Sequence, residues 1–183
     1  MDDLQAIRRM KNGAMDGLEH LVMRYQVKAV RAAFMIVQDE SAAEDVVQET
    51  FLTLYRNIRH FDETRPFEPY LMRSVIHAAL NTTRRAAKST SLEANPTRFE
   101  NLLMQAALVE SQVEFNQHKT EILTALSQLP PRQRAVIVQR YYLEMSEAEM
   151  AAVLDAPPGT VKWLLNAART RLRTLLRPER SAD

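Results

Sequence analysis

Apolar positions along this chain recur at spacings of three and four and rarely alternate. From residue 14 to 37, Leu18, Leu21, Val22, Tyr25, Val30, Ala33, Phe34 and Val37 share one side of a helix, as an amphipathic element at ~100° per residue requires. Ser41-Ala42-Ala43-Glu44 opens a second run. It has the form of a capping box, in which serine accepts from the third backbone N–H and glutamate reaches back to the cap. That helix extends to about Arg59, with Val47, Thr50, Phe51, Leu54 and Ile58 as its buried stripe. "FDETRPFEP" breaks the pattern. Pro69 suits the first turn of a third helix running to about Ala87, because a proline there removes a donor that has no helical partner anyway. Leu71, Val75, Ala79 and Leu80 are its apolar positions, and Phe61 and Phe67 in the preceding break are expected in the core.

The periodicity weakens from residue 88 to 117. Polar turn formers and Pro96 open this stretch, which reads as a linker with a short helix near 98 to 112. Beyond it the pattern predicts helices at 118–128, 131–144, 146–154 and 159–177, the first two separated by "QLPPRQR". Ser146-Glu147-Ala148-Glu149 is a second capping box. "SEAEMAAVLDAPPGTVKWLLNAARTRL" therefore has the shape of a helix-turn-helix. Met150, Val153 and Leu154 should pack against Val161 and Leu165, and Asp155 should take the tight corner that glycine usually occupies. On the last helix, Val161, Leu165, Ala168, Leu172, Leu175 and Leu176 face the core. Trp163, Asn166, Thr170 and Arg177 lie opposite, with Lys162, Arg169 and Arg173 on one flank and Arg171 toward the other.

Composition narrows the class. Glycine is scarce, 3 in 183 residues, and Ala, Leu, Glu, Gln and Arg dominate. The expected fold is all-α, as two small helical domains joined by a linker: residues 1–88, linker 89–117, and 118–183. The absence of cysteine removes disulfide and thiolate chemistry and suits a reducing cytoplasm. "MDDLQAIRRMKNG" has no apolar core of the signal-peptide kind, and no apolar run is long enough to span a membrane, so no membrane insertion is expected. His20, His60, His77 and His118 are scattered without ligand-like spacing, and no glycine-rich phosphate loop exists. Neither a metal nor a cofactor is expected, and no catalytic residue stands out. Asp62 and Glu63 sit in a turn, where acids are common.

Net charge is only +1, but its distribution is uneven. Asp39 to Glu49 holds five acids and no base. Arg65 to Lys88 holds five bases against one acid, and Gly159 to Asp183 six against two. One acidic and two basic surfaces imply more than one kind of partner. Within the acidic helix, Asp45, Glu49, Leu52 and Arg56 share a face beside Gln48. A leucine inside a charged stripe marks a protein-binding surface. The following helix carries Tyr70, Arg73, His77, Asn81 and Arg84 at spacings of three and four. An aromatic ring, polar donors and cations together suit unstacked bases and phosphates. In a helix-turn-helix, the first residues of the second helix meet base edges while flanking cations meet phosphates.

The segments "SAAEDVVQETFLTLYRNIRHFD", "RPFEPYLMRSVIHAALNTTRR" and "LPPRQRAVIVQRYYLEMSEAEMAAVLDAPPGTVKWLLNAARTRLRTLL" together resemble a bacterial sigma factor of the extracytoplasmic-function type. Such proteins contain only sigma regions two and four. The resemblance implies that Asp45, Gln48, Glu49, Leu52 and Arg56 dock on the β′ clamp helices of RNA polymerase core, and that the C-terminal domain meets the β flap. It implies that Tyr70, Arg73, His77, Asn81, Arg84 and Arg85, with the loop 60–67, capture and melt the downstream promoter element. The upstream element then falls to Thr160, Lys162, Trp163, Asn166, Arg169, Thr170 and Arg173 in the helix-turn-helix. Many members of the family have an anti-sigma factor, which is a further partner to expect.

The chain also departs from the family pattern. Tyr70 stands where Trp is usual, His77 where Asn is usual and Asn81 where Asp is usual. In "TVKWLLNAAR", Trp163 replaces Ser, and Leu164 and Ala167 replace two arginines. Three roles stay open for Trp163: contact with a thymine methyl or sugar, packing on the first domain, or docking of a regulator. Two other functions remain in play at this point, a stand-alone helix-turn-helix regulator and a sigma-like module that works through sequestration by a partner protein.

Overall fold

The computed structural model of the chain describes residues 1–88 and 113–176, and the side chains of all of these except 113–119. Among the described residues every regular element is helical. The chain divides into two compact units, Met1–Thr90 and Ser91–Asp183. The expected linker helix at 98–112 lies outside the described residues.

The first unit has four α-helices: α1 (Asp3–Lys11), α2 (Met15–Val37), α3 (Glu40–Asn57) and α4 (Phe67–Lys88), with a 3-10 turn at Ile58–His60. Helix α2 packs against the other three. Ala29, Ala32 and Ala33 are wholly buried on it, and such small side chains let helix axes approach closely. Leu21, Ile36, Leu71, Met72, Val75 and Ile76 fill the space between the helices. Burying each large aliphatic side chain contributes about 1.5–3 kcal/mol. The expected stripe of α3, Val47 to Ile58, is buried throughout, as are Phe61 and Phe67. Leu80 is only half-buried.

Two local differences from the sequence reading have plain causes. Helix α3 does not start at Ser41. Gln38 adopts the left-handed conformation that closes α2 (φ 63°), and Asp39 caps α3, its carboxylate accepting from Ala42 N at 2.7 Å. The acid two residues upstream thus takes the capping role, and Ser41 is exposed. Helix α1 was not anticipated. It has a reciprocal capping box between Asp2 and Gln5, and it buries Ala6, Ile7 and Met10.

The second unit contains α5 (Val113–Ser127), α6 (Pro131–Ile137), a π turn (Val138–Tyr142), α7 (Glu147–Leu154) and α8 (Pro158–Leu175). Helix α5 begins inside the stretch expected as linker. Arg134, buried on α6, donates to the carbonyls of Leu129 (2.7 Å) and Ser127 (3.4 Å), closing the turn that follows α5. Burial holds its guanidinium pKa below the ordinary value. The single helix expected at 131–144 widens after Ile137, where Leu143 N donates to Val138 O. Gln139 is wholly buried in this turn, and neither atom of its amide has a hydrogen-bond partner among the described residues. The Ser146–Glu149 capping box forms as expected, and Asp155 takes the corner at φ 47°. Met150, Val153, Leu154, Val161, Leu165 and Ala168 are buried. Leu164 joins them, which explains a leucine at that position. The apolar stripe ends earlier than expected: Leu172 and Leu175 are half-buried and Leu176 is exposed.

Candidate functional site

Helix α3 presents Asp45, Gln48, Glu49, Leu52 and Arg56 to solvent along one face. Its other side is fixed in the core by Val47, Thr50, Phe51 and Leu54. Arg56 lies 3.7 Å from Glu49 across two helical turns, with both side chains about two-thirds exposed. Such a pair contributes little to stability, so both charges stay available. Leu52 sits between them, 38% exposed. The face offers a partner an acidic surface with an apolar centre.

On α4, Tyr70, Arg73, Asn81, Arg84 and Arg85 are exposed and His77 is half-buried. Arg84 donates to Asn81 Oδ1 at 3.1 Å. Tyr70 is not a loose surface ring. Its centroid lies 4.9 Å from Phe61, Phe61 meets Phe67 edge-on at 5.9 Å, and Phe67 lies 5.9 Å from Tyr25. An aromatic column therefore runs from the core to the surface and ends in Tyr70. A stacking platform needs that support, because an immobilised ring loses little freedom when a base stacks on it.

The loop between the 3-10 turn and α4 is also fixed. Asp62 Oδ1 accepts from the backbone N–H (3.0 Å) and hydroxyl (2.7 Å) of Thr64. Those two bonds hold its carboxyl below the usual pKa range. Glu63 pairs with Lys11 and Arg8 of α1, both at 2.9 Å. Lys11 also donates to Phe61 O at 2.8 Å. Bonding to Lys11, then to Arg8, lowers the Glu63 carboxyl in turn. These cations escaped the sequence reading because α1 itself was not seen. The Asp2-x-x-Gln5 cap followed by Ile7 and Met10 was the signal available.

On α8, Lys162, Trp163, Asn166, Thr170 and Arg173 are exposed, and Thr160 and Arg169 are half-buried. Trp163 is 65% exposed, directed away from the core of its own unit as the helical wheel required. Arg169 differs from a free flank cation. It donates to the Tyr141 hydroxyl at 2.8 Å, its guanidinium 5.8 Å from that ring's centroid. Tyr141, 59% exposed on the π turn, was not singled out from the sequence. Among the described residues no group of His, Asp or Glu could hold a metal ion, and no helix is long and apolar enough to cross a membrane.

Residues 21–89 match Sigma-70 region 2, and residues 119–172 match Sigma-70 region 4. The ECF RNA polymerase sigma factor SigW of Bacillus subtilis is 30% identical over 177 residues, covering 93% of this chain and 95% of its own. The RNA polymerase sigma-H factor of Pseudomonas aeruginosa is 27% identical over 187 residues, covering 96% and 94%. Among solved structures, CnrH in complex with the cytosolic domain of CnrY is similar with a TM-score of 0.67 at 26% identity, covering 95% of this chain and 96% of that one.

Proposed function

This chain belongs to the extracytoplasmic-function (group IV) sigma factors of bacterial RNA polymerase, and on that premise we propose how its surfaces divide the work. It directs RNA polymerase core to promoters as an alternative sigma factor. Residues 1–88 serve the polymerase and the downstream promoter element, 89–117 link, and 118–183 serve the upstream element. The face of Asp45, Gln48, Glu49, Leu52 and Arg56 docks on the β′ clamp helices. The second unit meets the β flap and reads duplex DNA through Thr160, Lys162, Trp163, Asn166, Thr170 and Arg173, with Arg169 positioned by Tyr141. The protein acts without catalysis of its own, in the compartment that holds the polymerase. CnrH is bound by the cytosolic domain of another protein, and a protein regulator of the anti-sigma kind belongs to the same reading.

Promoter opening is the step with the most specific structural support. The observation that carries it is the aromatic column ending in Tyr70, beside Arg73, His77, Asn81, Arg84 and Arg85. Binding energy from bases stacked there, about 1–3 kcal/mol per base, offsets the cost of separating the strands. Thymine reactivity to permanganate in the holoenzyme–promoter complex tests this. Tyr70→Ala should lower opening while core binding persists, and Leu52→Arg should remove core binding instead. Normal opening by Tyr70→Ala would contradict the assignment. Promoter binding that never requires core polymerase would favour a stand-alone regulator.

A further inference from the structure

Glu63 is an anomaly on a surface assigned to DNA. An acid in the loop 61–66 should repel a phosphate chain, yet this loop adjoins Tyr70 through Phe61. Two cations from a different helix are committed to it. Lys11, with its side chain only 22% exposed, bonds both Glu63 Oε1 and the carbonyl of Phe61. Arg8 takes the other oxygen, Glu63 Oε2. Isolated surface ion pairs do little, but one carboxylate shared by two cations, one of which also holds the backbone, is a connected network. Its geometry spans the loop: one tie at Phe61, beneath the Tyr70 ring, and two at Glu63, in the turn closed by Asp62 and Thr64.

We propose that helix α1 braces the base-capturing loop, with Glu63 as a positioning residue for promoter opening and Lys11 and Arg8 as its anchors. The proposal rests on the reading of Tyr70 and its neighbours as the single-strand site. Without the brace, the loop and the Phe61 ring lose their fixed place, and capturing a base then carries the added cost of ordering them. The pairing also neutralises one of the two acids that the turn places near DNA. Glu63 itself touches no base.

The sign of one substitution separates this role from simple electrostatics. Removing a negative charge near DNA should strengthen binding of an anionic strand. Loss of the brace should weaken it. The test uses holoenzyme assembled on core RNA polymerase, with a fluorescently labelled single-stranded DNA pool of randomised sequence as probe. Glu63→Gln should bind this probe about three- to tenfold more weakly. Its affinity for core polymerase and for upstream duplex DNA should be unchanged. Lys11→Gln should weaken probe binding similarly, and the double variant should lose less than the sum of the two singles, because the Lys11–Glu63 bond is removed by both. Unchanged or tighter probe binding by Glu63→Gln would overturn the brace, as would additive losses in the double variant. A loss of core binding equal to the loss of probe binding would also overturn it, since that would be general destabilisation. Tyr70→Ala serves as the reference: if it weakens the probe and Glu63→Gln does not, the brace alone falls. If neither does, the single-strand reading falls with it.

Discussion

Trp163 shows what one residue discloses and what it withholds. Helical spacing placed it opposite Val161, Leu165 and Ala168, and it is 65% exposed. Its direction was legible because the wheel depends only on neighbours in sequence. The partnership of Arg169 with Tyr141 was not, since the two lie 28 positions apart and meet only when α8 folds against the π turn. Gln139 was equally hidden: a buried amide without partners follows no periodic rule. Because Trp163 contributes nothing to the core of its unit, Trp163→Ala should leave unfolding free energy within about 0.5 kcal/mol, as exposed substitutions do. Holoenzyme carrying it should lose affinity for the upstream promoter element in a binding titration. A marked fall in melting temperature would show that the indole is packed.

At the scale of elements, the long helices were legible and their ends were less so. The buried stripe of α3 appeared as read, yet its start moved from Ser41 to Asp39, since an upstream acid following a left-handed residue made the better cap. Helix α1 went unread because it is short and strongly charged. Its seat on α2 is visible only in three dimensions. A Cβ built on Gly17 would stand 2.3 Å from the Ala6 carbonyl oxygen and 2.9 Å from Met10 Cγ. Alanine favours helix over glycine by about 1 kcal/mol, so a helix-propensity argument alone makes Gly17→Ala stabilising. The close approach reverses the sign. Gly17→Ala should destabilise the protein by about 1–3 kcal/mol, the usual cost of overpacking, as measured by thermal or denaturant unfolding. A rise in stability would mean that α1 does not pack tightly at this point.

Across the whole molecule, a net charge of +1 conceals the division of labour. The acids from Asp39 to Glu49 lie at the cap and along the first half of α3, with Asp45 and Glu49 in the proposed polymerase face. The bases of α4 and α8 lie in the parts proposed to meet single-stranded and duplex DNA. That segregation was readable before any fold was known, because charge runs survive in one dimension. The aromatic column was not, since Tyr25, Phe61, Phe67 and Tyr70 come from two helices and a loop. The central claim is that this chain confers promoter specificity on core RNA polymerase. Run-off transcription with purified core enzyme on a promoter library tests it most directly. Addition of the protein should yield discrete transcripts from a subset of sequences sharing an upstream and a downstream element, with none from core alone. Transcription indistinguishable from that of core alone, despite intact folded protein, would contradict it.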